Sequence, residues 1–442
     1  MRTVYNIVFI FFFILSAPYY FLKMWRRGNW RPGFRQRLGE YDTRVRQAIT
    51  NRHILWLHAV SVGEMNVCVQ VIRALEPRMP NLKIVVSTTT TTAMGELQKR
   101  LPAHVTKIYY PIDRRKYVAS ALAAIHPHAF ALVESEIWPN FLWQARARDL
   151  PLFLINARLS ERSFPRYKKL GFLFRPLFAA FTAVGAQNEA DAGKLRELGC
   201  QPDAVHVVGN LKFDAAKVEG RPLLDVPALL AQLGVAPGAP VLVAGSTHAG
   251  EEDLLAAMLP RLRARFPDFF LILVPRHFER APTVAAQLNK RGVDFVLRSD
   301  VSLENRHDAG SVECLLVNTT GELRYFYEHA TLVFVGKSLT AKGGQNPIEP
   351  AALGKPVVFG PNMQNFADVV KIFLARDAAV QARDVAEVES TFVDLLSRPE
   401  RRAQLGQNAL TVVRENQGAV NRTVDMIVKH LGERDFYVAP QK

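Results

Sequence analysis

The stretch Lys342–Pro350 reads K-G-G-Q-N-P-I-E-P and has the make-up of an anion and ribose site. Two glycines let a backbone approach a ligand closely. Asn346 is a good helix N-cap, and Pro347 suits a first helical turn. A helix starting there offers free N–H groups and partial positive charge to a phosphate. Glu349, one turn in, is placed to accept two ribose hydroxyls. A glycine turn before an ordinary capped helix has the same spelling, so this stretch alone leaves both readings open. Arg276, in Pro275-Arg276-His277, ends an apolar run and is a natural phosphate ligand. Asn318–Leu323 (N-T-T-G-E-L) is a second glycine turn. Glu134 and Glu136, in E-S-E-I-W-P-N, set two carboxylates beside Trp138. Carboxylates held that close perturb each other's pKa, which points to a site more than to a turn. Ser61 and Glu64 have the S-x-x-E spacing of a capping box. Glu64 is therefore either a helix cap or a carboxylate facing a ligand crevice at a strand's carboxyl end. Lys212, in G-N-L-K-F-D, either reaches a phosphate or is simply solvated.

These residues need strands behind them. Apolar runs at His53–His58, Lys83–Ser87, Val105–Tyr109, Ala129–Val133, Pro151–Ile155, Ala183–Ala186 and Val205–Val208 alternate with helical patterns. That alternation predicts a parallel, doubly wound α/β sheet. A Pro-, Asp- and Gly-rich stretch, 218–240, reads as a linker. A second series follows, with strands at Val241–Ala244, Phe269–Val274, Cys314–Val317, Thr331–Val335 and Pro356–Phe359 and helices beyond Gln381. In it the turns at Pro275, Thr320 and Asn346 fall at strand ends, the edge where doubly wound folds bind ligands. None of them carries G-x-G-x-x-G or G-x-x-x-x-G-K-[ST], which argues against a dinucleotide or P-loop site. Glu251-Glu252 suit a helix dipole and need no further reason. Thr88–Thr92 are either ligand hydroxyls or a polar loop capping the next helix. Ser163–Phe181, aromatic and basic, is either a lipid-touching amphipathic helix or a core helix with a basic solvent face.

The chain has 442 residues, enough for two to three domains, and carries a formal net charge of +15. Cys68, Cys200 and Cys314 are far apart and odd in number, so neither a disulfide framework nor a metal cluster is expected. The basic residues are scattered and no nucleic-acid signature appears, so no nucleic-acid partner is expected. Val4–Leu22 is almost wholly apolar and just long enough to cross a hydrocarbon core. Lys23, Arg26, Arg27, Arg31, Arg35 and Arg37 follow, with Trp25 and Trp30 among them. That flank keeps the body cytoplasmic and attracts anionic lipid. An uncleaved anchor or a monotopic insertion fits; a hydrophobic helix docked on the body is the bland alternative.

Eight motifs in order, H-A-V-S-V-G-E, E-S-E-I-W-P-N, N-A-R-L-S-E-R-S, G-N-L-K-F-D, S-T-H-A-G-E-E, V-P-R-H, T-G-E-L and N-P-I-E-P, cover the chain to about Gln417. Together they resemble the bacterial 3-deoxy-D-manno-octulosonic acid (Kdo) transferases of lipopolysaccharide synthesis. The resemblance implies a GT-B fold, two Rossmann-like domains facing across a cleft, behind an N-terminal membrane anchor. On that frame the anchor is 1–24, the acceptor-binding domain 25–217, the linker 218–240 and the donor-binding domain 241–442. The implied reaction carries Kdo from CMP-Kdo, a substrate and not a cofactor, to the lipid A precursor (lipid IVA). It inverts the sugar centre and uses no metal. Carried over by motif, Glu64 is the general base, and Glu134 and Lys212 stabilise the transition state. Pro275, Arg276, Thr320, Gly321, Glu322, Asn346, Pro347, Ile348 and Glu349 hold CMP. The expected location is the cytoplasmic side of the inner membrane, among anionic lipids. Another GT-B nucleotide-sugar enzyme, or a catalytically silent sugar-nucleotide binder, is the alternative. Gln345, Asn318 and Lys337 stand where the family commonly has histidine, aspartate and glycine.

Overall fold

The computed structural model describes all residues except 1, 27–30, 32, 162, 217–223, 303–305 and 433–442. Arg27 and Trp30 of the basic flank, the first part of the 218–240 linker and the end of the 241–442 domain thus lie outside the described residues. The chain forms two compact units. One holds residues up to Ala215 and those from Gln417 onward; the other is Ala216–Asn416.

The first unit is built on seven strands: β1 (His53–His58), β2 (Leu82–Thr88), β3 (Thr106–Tyr109), β4 (Ala129–Val133), β5 (Leu152–Ala157), β6 (Ala183–Ala186) and β7 (Val205–Val207). They lie in the order β3-β2-β1-β4-β5-β6-β7, and every pair is parallel. Successive residues of a strand point to opposite faces. In β1, Ile54 and Trp56 enter one core with Phe130, Leu132 and Leu154, while Leu55 and Leu57 enter another with Ala131, Phe153 and Val86. Both faces are therefore covered, as an all-parallel sheet requires.

The second unit has β8 (Val241–Thr247), β9 (Phe270–Pro275), β10 (Phe295–Leu297), β11 (Cys314–Leu316), β12 (Leu332–Val335), β13 (Val357–Phe359) and β14 (Val380–Gln381). Their order is β10-β11-β9-β8-β12-β13-β14, again all parallel. Two Rossmann-like doubly wound units are the parts of a GT-B protein. β10 and β14, the two half-buried edge strands of this sheet, are absent from the sequence reading.

The C-terminal helix corrects the expected division. The sequence reading runs the second domain to residue 442, yet the helix Ala419–Gly432 belongs to the first unit. Its Val420, Val424, Ile427 and Leu431 complete the core that also holds Val67, Val71 and Leu75 of the helix Val62–Leu75. The Asp214 carboxylate accepts the Gly418 and Val420 N–H groups, each at 2.6 Å, and so caps the helix. Arg422 Nε donates to the Val208 carbonyl at 2.8 Å.

The N-terminal helix spans Arg2–Arg26, and its segment Arg2–Tyr19 is long and apolar enough to cross a membrane. Its aromatic face touches the first unit: the Tyr5 and Trp143 rings meet edge-on at 5.5 Å. The 163–181 stretch is two helices, Ser163–Lys169 and Gly171–Phe178, not one. Leu177 and Phe178 are buried while Leu170 and Phe172 are exposed, so only part of the stretch is a core helix.

Candidate active site

In the first unit the chain starts at β1, runs outward to β3, then returns to β4 on the other side of β1. The β1/β4 junction is the point where strand order reverses, and ligands of such sheets bind beyond the carboxyl ends there. Glu64 follows β1 and Glu134 follows β4. Ser61 caps the helix Val62–Leu75: its Oγ accepts the Glu64 N–H at 3.2 Å. The Glu64 carboxylate reaches back, accepting the Val60 N–H at 2.8 Å and the Ser61 hydroxyl at 2.7 Å. The capping box is therefore real, and it also fixes the carboxylate at the sheet edge. Burial pushes the Glu64 pKa up to about 7; its two hydrogen bonds oppose the rise, and Glu134 and Glu136 add to it. Of the two readings left open by its spacing, the cap is what these bonds show.

Glu134 sits at φ 62, a left-handed conformation a glutamate adopts only under constraint. Its N–H is held by the Ile155 carbonyl at 2.9 Å, and its carboxylate accepts from Arg158 Nε at 3.4 Å. Arg158 follows β5, the next strand over. Burial raises Glu136, and the Glu134 charge raises it further. Lys212 is half-buried, not a freely solvated lysine. Burial and the Arg158 charge lower its pKa, while Glu134 and Glu64 pull it back up. Its loop is set by two asparagine carbonyl oxygens: Asn156 Oδ1 accepts the Leu211 N–H at 3.2 Å, and Asn210 Oδ1 accepts the Lys212 N–H at 3.0 Å. Glu64, Glu134 and Lys212 therefore come together, with Arg158 and Glu136 completing an edge of alternating charge.

In the second unit strand order reverses between β8 and β12. Pro275 ends β9 and Arg276 follows it, Thr320–Glu322 follow β11, and Asn346–Glu349 follow β12, so all lie along one carboxyl edge. The helix there starts one residue later than expected: it is Ile348–Ala352, and Pro347 is its N-cap instead of its first residue. Asn346 still serves the turn, since its Oδ1 accepts the Ile348 N–H at 3.0 Å. Its Nδ2 donates to Glu349 Oε1 at 3.2 Å. Gly343 and Gly344 have φ 126 and 74, and a Cβ on Gly344 would meet Met363 Sδ at 2.5 Å. Burial raises the Glu349 pKa against its Asn346 hydrogen bond and the charges of Arg276 and Arg324. Arg276 itself is exposed. The Glu322 carboxylate is held by Thr319 Oγ1 and by Arg298 Nη2, the latter at 3.0 Å.

Two carboxylates ascribed to a helix dipole do much more. Glu251 is fully buried and accepts four backbone N–H groups: His248 at 2.8 Å, Lys337 at 2.7 Å, Ser338 at 2.8 Å and Leu339 at 2.9 Å. It ties the loops after β8 and β12 together at the reversal point. Glu252, also fully buried, takes Arg280 in a two-pronged pair at 2.6 and 3.1 Å, plus the Thr247 hydroxyl at 2.9 Å. Lys337 has φ 55, so the side chain stands where the backbone favours glycine. Gln345 is placed by its N–H bond to the Gly336 carbonyl at 3.1 Å. Asn318 is engaged with Ser299, accepting its N–H at 3.0 Å and donating to its Oγ at 2.8 Å. The threonine run is a cap: Thr90 Oγ1 accepts the Ala93 N–H at 3.2 Å. A cavity of about 890 Å³, lined by His53, His126 and His128, opens at the opposite, amino edge of the first sheet, away from these groups.

Comparisons with known proteins bear on the family and the fold. The family model described as "3-Deoxy-D-manno-octulosonic-acid transferase (kdotransferase)" matches residues 32–215. The 3-deoxy-D-manno-octulosonic acid transferase of Bordetella pertussis is 33% identical over 429 residues, covering 94% of this chain and 97% of that protein. The protein of the same name from Haemophilus influenzae is 30% identical over 404 residues, 90% of this chain and 92% of its own. Among solved structures, a putative UDP-N-acetylglucosamine 2-epimerase from Listeria monocytogenes has the same fold. Its TM-score is 0.54 at 15% identity, over 89% of this chain and 99% of that one.

Proposed function

The chain belongs to the 3-deoxy-D-manno-octulosonic acid (Kdo) transferases, glycosyltransferases of lipopolysaccharide synthesis, and on that premise we propose that it carries Kdo from CMP-Kdo to lipid IVA. The carrying observation is the Glu64 carboxylate, fixed at the reversal point of the first sheet with its pKa near 7. A sugar hydroxyl is a weak nucleophile, and a base near neutrality removes its proton as the new bond forms. In the proposed step the acceptor oxygen attacks the anomeric carbon of Kdo while its proton passes to Glu64. The bond from that carbon to the phosphate oxygen breaks, CMP leaves with the electron pair, and the centre inverts. Glu134 and Lys212 stabilise the transition state, and Arg158 orients Glu134. Arg276 and the loop at Asn346 hold the CMP phosphate, and Glu349 takes the ribose hydroxyls. Pro275, Thr320, Gly321, Glu322, Pro347 and Ile348 shape the rest of that donor site. The base and the cations are side chains of the chain itself, so the proposed step uses no metal and no cofactor. The protein works at the cytoplasmic face of the inner membrane, where a soluble donor meets a lipid acceptor.

The test is purified full-length protein with CMP-Kdo and lipid IVA. Release of CMP together with a lipid mass gain of whole Kdo residues supports the reading. Donor binding without transfer would leave a sugar-nucleotide binder instead. Full turnover by Glu64→Gln would remove the base assignment.

A further inference from the structure

The N-terminal helix is long enough to cross a bilayer, but its contacts do not suit a crossing. Tyr5 Oη donates to Asp113 Oδ2 at 2.8 Å, and Asn140 Nδ2 donates to Asn6 Oδ1 at 2.9 Å. The Arg2 guanidinium lies over the Trp143 ring, 5.6 Å from its centroid. Asp113 is itself buried and caps the helix Pro139–Arg146, accepting the Asn140 and Phe141 N–H groups at 3.0 and 2.9 Å. The first turn of the N-terminal helix is thus built into the first unit. Its other end leads to Phe34–Arg37, also held there: Gln36 Oε1 accepts the Tyr109 N–H at 2.8 Å, and Arg37 Nη2 donates to the Thr89 carbonyl at 3.1 Å. Tyr5 and Arg26 are about 32 Å apart along a helix at 1.5 Å per residue, roughly the thickness of a hydrocarbon core. A crossing helix would put Tyr5 on the far side of the membrane from the body to which it is bonded.

The helix is also two-faced. At about 100° per residue, Tyr5, Asn6, Phe9, Ser16 and Ala17 share one side, and all are half-buried. Ile7, Val8, Phe11, Ile14 and Leu15 share the other and are exposed, Leu15 at 80% and Phe11 at 65%. A helix standing alone in lipid would not differ between its sides. Asp113 and Asn140 lie after β3 and β4, at the carboxyl edge that carries Glu64. Beside them Tyr167 Oη donates to the Ser135 carbonyl at 3.2 Å, and the helix pair it begins exposes Leu170 and Phe172 next to Arg166 and Lys169.

We propose that the N-terminal helix lies in the membrane surface without crossing it, clamped to the first unit through Tyr5 and Asn6. Its exposed apolar face and the Leu170–Phe172 tip enter the cytoplasmic leaflet, and the neighbouring cations contact anionic lipid. An in-plane apolar helix beside basic groups is the physical form of monotopic binding. It brings the carboxyl edge of the first sheet to the depth of lipid head groups. The proposal rests on the membrane-bound reading above but not on the donor or acceptor.

The test uses the full-length chain with an epitope and protease site ahead of Met1, expressed in a Gram-negative host. Protease should leave the epitope intact on right-side-out spheroplasts and remove it from inverted inner-membrane vesicles. Removal from spheroplasts means that the helix crosses and overturns the proposal. Purified protein should also float with phosphatidylglycerol vesicles, and the pair Phe11→Glu and Leu15→Glu should reduce that binding at least tenfold. Unchanged flotation of the pair overturns the lipid-facing assignment. A chain that stays off vesicles and elutes as a dimer overturns it too, giving the apolar face to a second copy. Neither measurement uses turnover, so failure here is distinct from failure of the transferase reading.

Discussion

A carboxylate with a pKa near 7 makes a pH prediction with a definite sign. As the proposed base, Glu64 must be ionised to accept a proton, so kcat/KM should rise with pH through about 7 and level off above it. Glu64→Gln should lose at least about 100-fold in kcat. Stability runs the opposite way. The folded pKa lies above the ordinary 4.5, so folding favours the protonated form. That contribution is whole below about 4.5 and is lost as pH rises through 7, on the order of 3 kcal/mol in all. Glu64→Gln cannot ionise, so denaturant titrations should show it gaining on the parent protein between pH 5 and pH 8. Lys337 gives a second residue-level expectation. Relief of its left-handed backbone by Lys337→Gly should add about 1 kcal/mol of stability to the second unit. The sequence showed that a lysine stood in an unusual place but could not show the backbone angle that makes it costly. Glu64 was legible because its motif is local. Arg158 was not singled out, because its partner Glu134 comes from another strand.

Elements fix these residues through buried carboxylates. Glu251 holds both loops at the reversal point of the second sheet, so it positions the loop that leads to Asn346 and Glu349. Glu251→Gln keeps the size but removes acceptor capacity for four N–H groups. CMP affinity by calorimetry should fall at least tenfold while the circular dichroism spectrum is kept. Glu252→Ala leaves Arg280 without its buried partner and should cost about 3 kcal/mol in chemical denaturation. All strands but β10 and β14, the half-buried edges of the second sheet, were readable from apolar runs, since both faces of an inner parallel strand are buried. The helix after Asn346 was readable as a helix start, one residue early. Asn346 and Pro347 spell a cap in either register, and the structure has the later one. Glu251 and Glu252 were hidden by an adequate local explanation. Acidic residues suit any helix start, and only the fold brings β12's loop down onto them.

For the whole molecule, two α/β units were legible from two alternating series, but the division between them was not. The amphipathic pattern of Ala419–Gly432 says that one face is buried and does not say by which body. A chain ending at Asn416 should therefore lose soluble expression, because it strips the cover from Val67, Val71 and Leu75 of the first core. Limited proteolysis of any soluble remainder should cut within the first unit. Asp214 has a consequence for construction as well. It bonds Gly418 and Val420 directly, so the outgoing and returning strands adjoin at one place. Topologically, the whole second unit is one oversized loop inserted between neighbouring residues of the first unit. A few glycines joining Asp214 to Gly418 should delete that loop and leave a free-standing first unit, whereas simple cuts at the apparent domain border would not.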